Sequence, residues 1–185
     1  MNHSTPPDKR GDTFSMKTAQ SLLATLSLCM LAACQSLPTP GAAQATLTPK
    51  SGSAVTGTVT FTASGNGLVV VASLKGLTPN AEHGFHVHEK GDCSAPDAMS
   101  AAGHFNPSGA SHGAAAGAHH AGDMPNLRAD AAGNAQYRTT LTGVSLEGPQ
   151  GVLGRSVVVH RDPDDYKSQP AGNSGPRIAC GVIQR

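Results

Sequence analysis

The chain has 185 residues, enough for one domain with extensions, and its formal charge of +1 removes the usual reason to expect a nucleic-acid partner. With no Trp, four Phe and two Tyr, any core must rest on aliphatic side chains. Nine histidines is a high count for this length, and all but His3 fall between His83 and His160.

From Met16 the chain reads "MKTAQSLLATLSLCMLAAC": a basic start at Lys17, an apolar run from Leu22 to Ala33, then Cys34. That run of 12 residues is too short to cross the ~30 Å hydrocarbon core of a bilayer as a helix, so it reads as a processing signal. "LAAC", Leu31 to Cys34, resembles the lipobox of bacterial lipoproteins. It predicts lipidation at Cys34 and an exported, periplasmic, membrane-anchored product; the alternative is an ordinary secretory signal. The expected organisation is an extension and signal over 1–33, a flexible tether over 34–44 and a folded domain over 45–185. Cys29 leaves with the signal. Cys93 and Cys180 remain, and an oxidising compartment favours their pairing. Closing that loop of 88 residues stabilises by about 4.6 kcal/mol in the chain-entropy picture.

The domain reads as all-β. "AVTGTVTFTAS" alternates Val55, Val59 and Phe61 with Thr and Gly, and "GLVVVASLKGL" follows after the turn "SGNG". "AEHGFHVHE", "AQYRTTLTG", "VLGRSVVVH" and "RIACGVI" are further strands. No segment outside the signal sustains a helical period, and short strands with Gly/Pro/Asn turns favour a sandwich or barrel.

Two segments break this pattern. Lys90 to Pro125 is 36 residues of Gly, Ala, His and Pro, and Arg161 to Pro176 is a second stretch of 16. A loop that long inside a compact domain is either disordered or functional. The first one carries four of the histidines and follows closely on two more. His86 and His88 share one face of their strand, a pre-organised pair of nitrogen donors, although His-x-His alone is weak evidence. His104, His112, His119, His120 and Asp123 follow, then His160 at the end of an apolar strand. Three imidazoles and a carboxylate suit a four-coordinate zinc, and a site rich in imidazole suits copper.

"GFHVHEKGDC", "GHFNP", "HAGD", "VVVH" and "GPRIACGV" resemble, in chain order, the successive signatures of copper/zinc superoxide dismutases, over roughly Ala45 to Arg185. The resemblance implies an eight-stranded Greek-key β-barrel with two long functional loops. It assigns His86, His88, His104 and His160 to copper. It assigns His104, His112, His120 and Asp123 to zinc, with His104 shared between the ions, and it pairs Cys93 with Cys180. The three-residue spacing to Asp123 selects His120 over His119. His83 matches a structural histidine, and Asp164, with Asp162 and Asp165 as neighbours, matches an aspartate that joins a copper histidine to a zinc histidine. Arg177 matches the arginine that attracts the anionic substrate, superoxide, with Lys90 or Lys167 as longer-range steering charges. The oligomeric state stays open, since the family includes monomers and homodimers. The competing reading is a copper or zinc storage or delivery protein on the same fold. A hydrolase is disfavoured because no "HExxH" is present.

Overall fold

The computed structural model describes residues 1–4 and 41–185. The chain divides into two units, Met1–Ser36 and Leu37–Arg185, and all the described secondary structure belongs to the second. The signal, Cys29 and Cys34 lie outside the described residues. No helix among those residues is long and apolar enough to cross a membrane.

Nine strands make up the domain: β1 (Ala42–Pro49), β2 (Thr56–Ser64), β3 (Gly67–Lys75), β4 (Glu82–His83), β5 (Phe85–His88), β6 (Leu127–Arg128), β7 (Ala135–Thr142), β8 (Ser156–His160) and β9 (Arg177–Val182). The single helical turn among the described residues is Met99–Ala101. β4 and β5 are one strand read from the sequence, interrupted at Gly84, so the expected count of eight holds when they are joined. At Gly84 the chain changes partner, from β6 to β8, and the position is crowded: a Cβ there would lie 2.7 Å from Ser174 Oγ and 3.1 Å from the His86 ring. Any side chain there would push the second long loop off the strand.

Seven strands pair in the order β5-β8-β9-β1-β2-β3-β7, every pair antiparallel. β8 and β9 return from the end of the chain to lie between β5 and β1, which is a Greek-key connection. β4 pairs with β6, and a turn closed by Asp130 N–H on the Asn134 carbonyl leads from β6 into β7. The sheet therefore curls into a barrel, one of the two forms the strand pattern favours and the one the resemblance implies.

β1 corrects the expected boundary. Ala42, Ala43 and Gln44, placed in the tether by composition, pair with Thr62, Phe61 and Thr60 of β2. The alternation is there, but small side chains carry it: Ala43, Ala45 and Leu47 are buried while Gln44 and Thr46, between the first pairs, face outwards. Alanine gives too weak a hydrophobic signal to mark a strand unaided.

The barrel is filled by Val59, Phe61, Leu68, Val70, Phe85, Val87, Val157 and Val159, all fully buried, with Phe105 of the first long loop plugging one side. Arg155 lies 3.8 Å over the Phe105 ring and donates to the Glu89 and Gly151 carbonyls, pinning the loop's start to the barrel. A second, smaller apolar cluster (Ala98, Ala101, Val158, Cys180 and Cys93) forms where that loop crosses the outer face of β8 and β9. There the Cys93–Cys180 disulfide, with its Cα atoms 5.7 Å apart, ties loop to strand.

Candidate metal centre

The positions of the donors follow from strand pairing. In β5, Phe85 and Val87 point into the core, so His86 and His88 point out, yet both are fully buried. The first long loop covers them and attaches as an irregular extra strand, with isolated bridges His86–Asp123 and His88–His104. On the neighbouring strand, β8 ends at His160, which pairs with Arg177 of β9 across a register irregularity. The ladder thus sets the permanent cation beside a histidine of the site.

Two sets of four side chains result. His86, His88, His104 and His160 form one; His104, His112, His120 and Asp123 form the other, with donor atoms within 4.8 Å of each other in each. All seven residues are buried, and His104 belongs to both sets. His120 faces the cluster, while the partly exposed His119 turns away and donates from Nδ1 to the Gly117 carbonyl.

Hydrogen bonding fixes which nitrogen each ring presents. His88 donates from Nδ1 to the Ala102 carbonyl, and His160 from Nδ1 to that of Gly175. His86 and His112 both donate from Nε2 to the Asp164 carboxylate, each at 2.9 Å. The opposite nitrogens (Nε2 of His88 and His160, Nδ1 of His86 and His112) then carry lone pairs aimed into the clusters. Those of His88 and His160 lie 3.3 Å apart, and His112 Nδ1 lies 2.9 Å from Asp123 Oδ2. Facing acceptors repel unless a cation sits between them. His104 has no outside partner: Nδ1 faces Asp123 and His120, at 2.7 and 3.4 Å, and Nε2 is buried without a partner. Both of its nitrogens are available, one to each set.

The electrostatics agree. Burial, followed by the neighbouring His104 and His160 rings, pushes His86 and His88 well below the ordinary imidazole range. Burial also lowers His160 to about 4, and lowers His120. Burial pushes the Asp123 carboxyl up, but bonds from His104 and the His120 backbone outweigh it and hold the group below its usual range. Neutral imidazoles with an ionised carboxylate are the protonation state that binds metal. The four-imidazole set suits redox-active copper, and the three imidazoles plus one carboxylate suit zinc.

The resemblance points to Asp164 over its neighbours Asp162 and Asp165, and Asp164 is the one that bonds both His86 and His112. It is buried, bonds one histidine of each set, accepts the Tyr166 backbone N–H, and donates its own backbone N–H to Asn126 Oδ1. Asp162 lies beside Arg161, and Asp165 caps its own turn through Lys167 and Ser168. Gly172 at φ +63° makes room, since a Cβ there would fall 1.8 Å from Asp164 Oδ1. His83 is structural, donating from Nδ1 to the His160 carbonyl at 2.9 Å.

A cleft of about 240 Å³ opens onto His160 and Arg177, walled by Met99 and by Gln169, Ala171 and Asn173 of the second long loop. Arg177 donates to the carbonyls of Ala98 and Ala102, at 2.7 and 2.6 Å, so the disulfide-anchored loop holds its guanidinium in place. It is the one cation among the described residues that line the cleft; neither Lys90 nor Lys167 does. Sequence reading missed Gln169 and Asn126, whose bonds to loop backbone and to Asp164 leave no spacing signature.

A barrel carrying two histidine clusters with one imidazole in common defines a dinuclear metalloprotein of the mixed copper and zinc type. A family model described as copper/zinc superoxide dismutase (SODC) matches residues 55–183, and the chain belongs to that family. It is 48% identical over 125 residues to superoxide dismutase [Cu-Zn] 2 of Aquifex aeolicus (strain VF5), covering 64% of this chain and 73% of that protein. Superoxide dismutase [Cu-Zn] 1 of the same organism is 46% identical over the same length, covering 64% and 74%. Among solved structures, the clock protein EA4 superposes with a TM-score of 0.71 at 38% identity, covering 80% of this chain and 96% of that one. A double mutant of a SOD-like protein from Bacillus subtilis gives 0.69 at 38% identity, covering 77% and 97%.

Proposed function

We propose that the chain dismutates superoxide, two O₂⁻ and two protons giving O₂ and H₂O₂, with His86, His88, His104 and His160 holding copper and His104, His112, His120 and Asp123 holding zinc. The observation that carries the assignment is His104, whose two ring nitrogens face the two clusters and bond nothing else. Copper supplies the one-electron oxidation and reduction, and zinc, which has no redox chemistry, fixes the loop and the shared ring. Arg177 attracts and orients the anion, since its charge is permanent and its fork is held by two carbonyls beside His160. His104 Nε2 accepts a proton when it is not engaged as a donor and gives it to the reduced oxygen, an acid–base role ordinary for imidazole. Asp164 keeps His86 and His112 in the tautomers the clusters need.

The test is metal content and superoxide consumption on one purified sample of the chain. About one copper and one zinc per chain are expected, with turnover abolished by His160→Ala and slowed by Arg177→Ala at full copper loading. Full loading without turnover would favour storage or delivery.

The chain is also exported and lipid-anchored through Cys34 to a periplasmic membrane face. The apolar run ending in "LAAC" and the disulfide, at home in an oxidising compartment, support this. Incorporation of labelled fatty acid into the expressed protein, lost in Cys34→Ser, checks it; equal labelling of both would discard it.

A further inference from the structure

Gln169 lies in the second long loop and bonds a single residue of the first with both ends of its amide. Oε1 accepts the His112 backbone N–H at 2.9 Å, and Nε2 donates to the His112 carbonyl at 2.9 Å. A primary amide presents donor and acceptor side by side, so it does for His112 what a neighbouring strand would do. The His112 ring is meanwhile bonded to Asp164 and aimed at the zinc cluster. Gln169 also lines the cleft that opens onto His160 and Arg177. Behind it the turn is closed by Gly172 N–H on the Ser168 carbonyl and by Asn173 Nδ2 on Ser168 Oγ, at 2.7 and 2.8 Å. The wall of the cleft is thereby tied to Gln169, and that side chain connects the wall to the backbone of His112.

We propose that Gln169 is a positioning residue that couples the zinc half of the site to the shape of the substrate cleft. This rests on the two-metal reading above. When His112 is fixed by its ring, its backbone is fixed too, and the amide clamp passes that constraint to the rim at Gln169–Asn173. Without the clamp the rim keeps its own turn and its bonds to Asp165, whose backbone N–H donates to the Gly172 carbonyl and whose carboxylate accepts from Asn173 Nδ2, but it loses its bonds to the His112 backbone. Because coupling between sites is reciprocal, the rim in turn helps retain zinc.

Azide is the probe, a small anion whose binding to Cu(II) is read from its charge-transfer absorption. Its affinity is measured on the full chain loaded with copper and zinc and with copper alone. The variants are Gln169→Met, which keeps length without either bond, and Gln169→Glu, which keeps the acceptor but sets an oxygen against the His112 carbonyl. In the unaltered chain, removing zinc shifts azide affinity several-fold. In Gln169→Met the two-metal form already binds azide as the copper-only form does, zinc removal shifts it by less than twofold, and zinc passes to a chelator roughly tenfold faster, the loss of two neutral hydrogen bonds. If Gln169→Met does not fold, Gln169→Glu shows the same change at reduced size. The proposal is overturned if azide affinity ignores zinc in the unaltered chain. It is equally overturned if the variants respond to zinc as fully as the unaltered chain does, or if their zinc release is unchanged. Failure of the unaltered chain to hold both metals would instead discard the two-metal reading.

Discussion

The two halves of the centre are built from different materials. Three of the four residues in the copper set stand on paired strands, His86 and His88 on β5 and His160 on β8, so the ladder places them before any ion arrives. Every member of the zinc set belongs to the loop between β5 and β6, where backbone pairing is sparse. That loop is held by a disulfide, by Arg155 over Phe105, and by Asp164 and Gln169 from the second loop. One half is pre-organised by the sheet; the other is organised by its ligands and by long-range clamps.

Substituting the residue common to both halves should break the contrast most severely. His104→Ala removes a donor from each set, so zinc should be lost while copper stays on its strand-borne ligands, and turnover should fall roughly 10³-fold with the acid–base group gone. Metal analysis beside a superoxide assay reads both, and equal loss of the two metals would contradict the contrast. Removing the loop's covalent tie comes next. Cys93→Ser with Cys180→Ser should lower stability by about 4 to 5 kcal/mol, measured by urea unfolding. It should also weaken anion attraction, because Arg177 is bonded to the carbonyls that the disulfide anchors.

Acid should act on the strand-borne half. The pKa of His160 is lowered from 6.5 to about 4, with His86 and His88 also lowered, so below pH 6.5 the unfolded chain binds protons that the folded chain refuses. Stability of the metal-free protein therefore falls as pH drops from about 6.5 towards 4. His160 alone accounts for about 3 kcal/mol across that window, at about 1.4 kcal/mol per unit. Urea midpoints at pH 7 and pH 4.5 check this; a flat profile would mean the rings are protonated in place. Asp164→Asn should loosen zinc about 10- to 100-fold, and copper less, because His86 keeps the support of its strand while His112 has none. Chelator competition for each metal measures the ratio. His119→Ala, next to His120 of the zinc set but bonded only to its own loop, should leave both affinities unchanged within twofold.

The strands were legible where β-branched and aromatic residues carried the alternation, as in β2 and β3, or formed a continuous apolar run, as in β8. They were not legible in β1, where alanines fill the inward positions, nor in β6, which has two residues and exists through its pairing with β4. For the site, residue types and the order of the motifs brought into view each of the seven side chains that the fold gathers into the two clusters. Among Asp162, Asp164 and Asp165, all close to His160 along the chain, the resemblance favoured Asp164, and the fold separates the three by burial and by partners.

The sequence by itself determined the chemistry: which imidazoles, which carboxylate, which arginine and which two thiols are available. Those are covalent facts, and spacing alone narrows their grouping. The tertiary structure decided which nitrogen each ring presents, that the cation lies across a strand pair from His160, and that an amide unmarked in the sequence grips the zinc loop from the rim of the cleft. These depend on hydrogen bonds between residues from 14 to 79 positions apart in the chain, whose partners are mostly backbone carbonyls and amides common to every residue.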